Sequence, residues 1–209
     1  MQKTNIRLLD TIPNDTIILE KNSRLVLVGL IKKGWVGKRH LTINAKAKDA
    51  HCECIFFILG KDDSSFSATI EAVHSAPHTA IKARIRAVLA DKATCDIEGV
   101  WKVEPKATNA DTYFSHHTLL LSNKATVKTS PFLEIRTDAV KAGHAASIGK
   151  VDEDALFYLL SRGLPEKEAR TLLVEGFFEK ELALVEDEAV VNKIRTSIIS
   201  FLANNQNEK

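Results

Sequence analysis

Up to about Gly149 the chain consists of short apolar or alternating runs with no convincing helical period, and that restricts this part to strands. In AIKARIRAVL (Ala80–Leu89), Ile81, Ala83, Ile85 and Ala87 alternate with Lys82, Arg84 and Arg86. Successive strand side chains point to opposite faces, so the first set is expected inward and the basic set toward solvent. RLVLVGLI (Arg24–Ile31) and CECIFFIL (52–59) are apolar or β-branched almost throughout, and further runs lie at 95–103, 118–122 and 132–136.

The tripeptide Lys-Ala-Thr recurs at 92–94, 106–108 and 124–126, each copy between strand-like runs and just after Asp91, Pro105 or Asn123. Those residues suit turns. The echo fits one structural unit stacked repeatedly, as in a solenoid with short rungs. A sandwich with similar corners accounts for it equally well.

From Val151 the period becomes helical. Asp152 is placed to cap a helix whose first turn carries Glu153 and Asp154, where carboxylates favour the positive end of the helix dipole. Ala155, Leu156, Leu159 and Leu160 share a face, and Gly163 fits the left-handed position after the helix. Pro165 suits the first turn of a second helix with Ala169, Leu172, Leu173 and Gly176 as its buried stripe. A third helix from about Ala189 presents Val190, Ile194, Ile198, Phe201 and Leu202. The polar tail NNQNEK is expected to fray. The chain therefore divides into a β body, residues 1–150, and a helical module, residues 151–209.

With 44% apolar and 27% charged residues the chain can bury a real core. Its formal net charge of +2 gives no argument for a nucleic-acid partner. Charge is nonetheless segregated: residues 21–48 hold eight Lys/Arg and no acid, and residues 152–188 hold eleven acids against four bases. These are solvated faces or, on a sharper reading, docking patches. Three cysteines make no secretory disulfide framework, and neither a signal-peptide stretch nor a membrane-length apolar window is present. A soluble cytoplasmic protein with no membrane partner is expected.

The order of features from residue 131 onward is distinctive: PFLEI (131–135), a glycine-flanked His144, then LFYLLSRG (156–163) followed by EAR and LLVEGF. Upstream lie HSAP (74–77), VLADKATCDIEGVWKVEPKATNADT (88–112) and LLLS (119–122), back to about Glu71. This series resembles the C-terminal end of the SufB/SufD family of iron–sulfur cluster assembly scaffold proteins, in a short, SufD-like form. The resemblance implies a right-handed parallel β-helix with a C-terminal α-helical module and no enzymatic activity of its own. It implies docking of a SufC-like ABC-type ATPase on the helices, for which Arg162, Glu166 and Glu175 are the exposed candidates. It also implies a SufB-like subunit, or a second copy of the chain, paired along the strand carrying Pro131, Leu133 and Ile135, with a nascent cluster held nearby. Usual SufB and SufD chains are much longer, so the family's N-terminal helical domain and several rungs are expected to lie outside this sequence.

His144 is the candidate metal ligand. Neutral imidazole can ligate iron, and small neighbours Gly143 and Ala145 leave room for a second chain or a cluster. The ordinary alternative is a hydrogen-bonding residue at a turn or interface. The family commonly places a Cys two residues earlier, where this chain has Ala142. Lacking that thiolate, the site is expected to bind no cofactor stably and to meet an iron–sulfur cluster only transiently at a subunit interface. The same loss fits a degenerate family member kept only as an interaction module.

Cys52 and Cys54 would project to one face of a strand with His51 opposite, either as a joint metal site or, by the more ordinary reading, as buried thiols; Cys95 also reads as core. His116 and His117 fall on opposite faces, and His74 and His78 flank a proline at a corner. No phosphate loop, nucleophile elbow or His-x-Glu motif is present, so ATP hydrolysis would belong to a partner. A β-helix carbohydrate-binding or carbohydrate-active protein is the reading from another class; it would need paired carboxylates and exposed aromatics, and the body offers few.

Overall fold

A computed structural model describes residues 4–204. Strands β1 (Asn5–Leu9), β3 (Arg24–Ile31), β5 (His51–Gly60), β7 (Ala80–Leu89), β9 (Ala110–Leu120) and β11 (Val140–Lys150) stack in that order into one sheet. Strands β2 (Asp15–Ile18), β4 (Arg39–Ala45), β6 (Ser65–His74), β8 (Thr94–Val103) and β10 (Thr126–Ile135) stack into a second. Consecutive strands alternate between sheets and every pairing is parallel, which gives a parallel β-helix and not a sandwich of hairpins. Strands β1 and β2, absent from the sequence reading, form the first rung.

The lumen is filled by the inward phase of each strand. Ile81, Ala83, Ile85 and Ala87 are fully buried there, as their alternation predicts, beside Phe56, Phe66, Ile97 and Trp101. The Lys-Ala-Thr echo marks corners where the alanine turns into the core: Ala93, Ala107 and Ala125 are all buried. In the turns that lead from the second sheet back to the first, Asn22, Asp49, His78 and Asn109 have positive φ, a conformation that Asn and Asp tolerate better than most residues. Their N–H groups donate to the next corner, Asn22 to Lys48 O at 3.2 Å, Asp49 to Pro77 O at 3.4 Å and His78 to Thr108 O at 2.9 Å. The hydrogen-bond ladder thus runs on through these turns.

Asp152 caps α1 (Glu153–Ser161) by accepting from the N–H groups of Asp154 and Ala155. Gly163, at φ +88°, ends it, with Leu164 N–H returning to Leu159 O and Gly163 N–H to Leu160 O. Pro165 precedes α2 (Glu166–Leu182), and Asp187, which the sequence reading missed, caps α3 (Glu188–Asn204). The tail beyond Asn204 lies outside the described residues.

The helices do not cover the end of the β-helix. They fold back along the outer face of the first sheet, where Val174, Phe178, Leu182, Ile194 and Ile198 meet Val28, Leu30, Ile55, Phe57 and Val88. This explains why β3 and β5 begin by alternating and finish as continuous apolar runs: their far halves are buried on both faces.

Three expectations need correction. The basic residues of β7 are half-buried instead of solvated: Lys82 pairs with Asp111 at 2.7 Å, Arg84 with Glu53, and Arg86 with Glu181 of α2. In α2 the buried stripe is Ala169, Val174, Phe178 and Leu182, whereas Leu172 is 49% exposed and Gly176 is open. Leu160 of α1 also faces outward, leaving Leu156 as that helix's buried residue. Finally, β9 and β10 start well before residues 118 and 132, because inward polar residues such as Thr112, His116 and Thr118 hide the alternation.

Candidate functional site at the open end of the β-helix

The last rung consists of β10 and β11, each with a strand neighbour on one side only. Pro131, Leu133 and Ile135 sit in register with Gly99, Trp101 and Val103, so they continue the inward phase of β8. Ala142 and His144 continue the inward phase of β9, in register with Thr112 and the fully buried Phe114. Among the described residues no further rung covers them. His144 is exposed and Leu133 is 37% exposed. Residues that would be core one rung earlier are here surface.

His144 makes no hydrogen bond or ion pair to another described residue. Both its ring nitrogens are therefore available to a second chain or an incoming group. Ala142 shares its face, so a thiol at that position would stand beside the imidazole; alanine offers no ligand. Among the described residues no three His, Cys, Asp or Glu side chains converge as a metal site. Gly143 faces the other way, over Tyr113.

The other candidates lie elsewhere. Cys52 and Cys54 do share one face, with their sulfurs 3.9 Å apart, but both are sealed in the lumen. The contact with Cys52 and burial push the Cys54 thiol well up, and burial pushes Cys95 up to about 12, so these remain neutral thiols. His74 is fully buried, bonded to Thr79 Oγ1 at 2.7 Å and Thr112 Oγ1 at 3.0 Å. His116 points into the lumen beside Thr118, and His117 points outward to Ser147 Oγ at 2.7 Å.

On the helices, Arg162 and Glu166 are exposed and Glu175 is half-buried, with Arg170 holding Glu166 at 2.9 Å. Around them stand apolar side chains the sequence reading missed or buried: Phe157, Tyr158, Leu160 and Leu172 are all exposed. Their signal was that ALFYLL in α1 is apolar on every side, whereas a helix needing only one buried face is not.

A family model described as the SufBD core domain of SUF system FeS cluster assembly matches residues 10–177. The chain belongs to the SufBD family. The match begins far ahead of Glu71, where the visible residue resemblance stopped. The chain is 32% identical over 145 residues to the iron–sulfur cluster assembly protein SufD of Bacillus subtilis, covering 69% of this chain and 32% of that protein. It is 34% identical over 120 residues to SufB of the same organism, covering 56% of this chain and 26% of SufB. A SufBD family protein of Pyrococcus horikoshii is 41% identical over 106 residues, covering 51% of this chain and 23% of that protein. The chain thus spans a third or less of the length of these SufBD relatives. Among its described residues no helix is long and apolar enough to cross a membrane.

Proposed function

We propose that this chain is a non-catalytic scaffold subunit of an iron–sulfur cluster assembly complex, placed in the cytoplasm. The observation that carries the reading is the open last rung: lumen-phase residues Leu133 and His144 stand uncovered between two unpaired parallel edges. An unpaired edge of this kind is a liability that pairing removes. A second scaffold subunit, SufB-like or a copy of this chain, completes it by adding strands along β10 and β11. His144 then meets a transiently held cluster as substrate, the remaining ligands coming from the partner because Ala142 supplies none.

The exposed apolar residues Phe157, Leu160 and Leu172, on the same two helices as Arg162, Glu166 and Glu175, form with them the surface assigned to a SufC-like ABC-type ATPase. Hydrolysis belongs to that partner, whose motion would reach the open rung through the helices.

Co-expression with a SufC-like ATPase tests the docking half. The ATPase should co-purify with the chain and be lost on Phe157→Ala combined with Leu172→Ala; retention would move the surface elsewhere. Sedimentation with and without a SufB-like subunit tests the other half. A chain that stays monomeric in both conditions at micromolar concentration would overturn the pairing.

A further inference from the structure

The basic segment at residues 21–48 has no part in that scaffold role, yet the fold gathers some of it into one cleft. The cleft, of about 790 Å³, lies where the β3–β4 corner meets the end of β1 and the helix α3. Lys32 and Lys33 from the corner, Arg39 from β4 and Lys193 from α3 line it, against one acid, Asp10. None of these four cations has a carboxylate partner among the described residues. Their neighbour Lys38 is by contrast spent on Glu98 at 2.5 Å.

Arg39 is oriented without being satisfied. Its guanidinium lies over the Trp35 ring, 5.1 Å from the centroid, and that ring is fixed by donating Nε1–H to Ser67 O at 2.9 Å. Arg39 Nε is buried and has no hydrogen-bond partner. A buried donor left unpaired is costly, and like charges crowded in one concavity repel, so an anion in the cleft would relieve both costs. A planar guanidinium together with ammonium groups matches phosphate oxygens, and a single carboxylate would leave most of the positive charge uncompensated.

We propose that this cleft binds a small, multiply charged phosphate, either inorganic or the phosphate end of a nucleotide-sized metabolite. A nucleic-acid track is disfavoured by the layout. The other basic residues of the segment, Lys21, Arg24, Lys46 and Lys48, sit at the opposite corners, at or before the start of β3 and after β4, and do not extend the cleft into a stripe.

Isothermal titration of the full chain with pyrophosphate at low salt tests this. One saturable site is expected, about tenfold weaker in Lys33→Gln/Lys193→Gln, which removes two exposed groups without touching the core. Lys46→Gln/Lys48→Gln, with the same loss of net charge, should leave binding unchanged. Arg39→Gln should abolish binding, and circular dichroism would show whether it stays folded. Tighter binding of ADP than of pyrophosphate assigns the phosphate to a nucleotide; equal binding assigns it to the inorganic anion. No saturable binding at millimolar pyrophosphate overturns the proposal. So does equal weakening in both double variants, or binding of an oligonucleotide alone.

Discussion

Arg86 on β7 holds Glu181 on α2 through Nε to one carboxylate oxygen and Nη2 to the other, the latter at 3.1 Å, with Glu181 only 2% exposed. The Arg86 guanidinium also lies 4.7 Å from the centroid of the Phe177 ring. This pair is a polar fastening between the β-helix and its helical module. Breaking a buried pair strands one charge, so Arg86→Ala should cost about 3–5 kcal/mol. Replacing both partners at once, Arg86→Met with Glu181→Leu, should cost far less. Urea unfolding of the two variants makes the comparison, and equal losses would show that the pair is not coupled.

Within α2 the buried stripe runs through Phe178 and leaves Leu172 outside. Phe178→Ala should destabilise the chain by about 3–5 kcal/mol. Leu172→Ala should fall within about 0.5 kcal/mol of the parent, as surface changes do. Thermal or chemical unfolding reads both, and a large loss at Leu172 would contradict the observed packing.

Burial holds His74 and His116 down at about 4, so both are neutral in the folded chain at pH 7. The unfolded chain takes up protons on these rings near the ordinary histidine value of about 6.5. Between those limits the unfolded state binds more protons, so stability falls as pH drops from about 6.5 toward 4, by up to about 3 kcal/mol for each ring. Stability measured across that window should show a slope that flattens in His116→Leu. A slope unchanged by that substitution would remove His116 from the account.

His144 is exposed and unpartnered, so His144→Ala should leave unfolding stability within about 0.5 kcal/mol. After reconstitution of the chain and a SufB-like partner with iron and sulfide, the visible charge-transfer band should weaken in this variant. The chain alone should give a weak band or none. A strong band that survives His144→Ala and vanishes on replacing Cys52 and Cys54 would relocate the chemistry to the lumen thiols.

Strand content, the inward phase of β7, the alanine corners, the Asp152 cap and the Gly163 stop were all legible in the sequence, because each depends on neighbours a few residues away. His144 could be picked out as a glycine-flanked residue following the PFLEI run by the same local reasoning, but its place on β11 could not. That it stands uncovered on the last rung could not, since exposure there depends on there being no twelfth strand beyond β11 among the described residues. The helix faces were misread at Leu160 and Leu172 for a related reason. Apolar residues on every side of α1 and α2 do not reveal which side meets β3, β5 and β7. The sheet's own apolar outer face, running through Val28, Phe57 and Val88, made that choice, and with it drew Arg86 out of solvent and onto Glu181. Local spacing therefore determined which elements form and which way each strand faces. Only the stacking of distant segments decided which apolar and charged side chains are core and which remain open to a partner, because burial belongs to the pair of surfaces that meet.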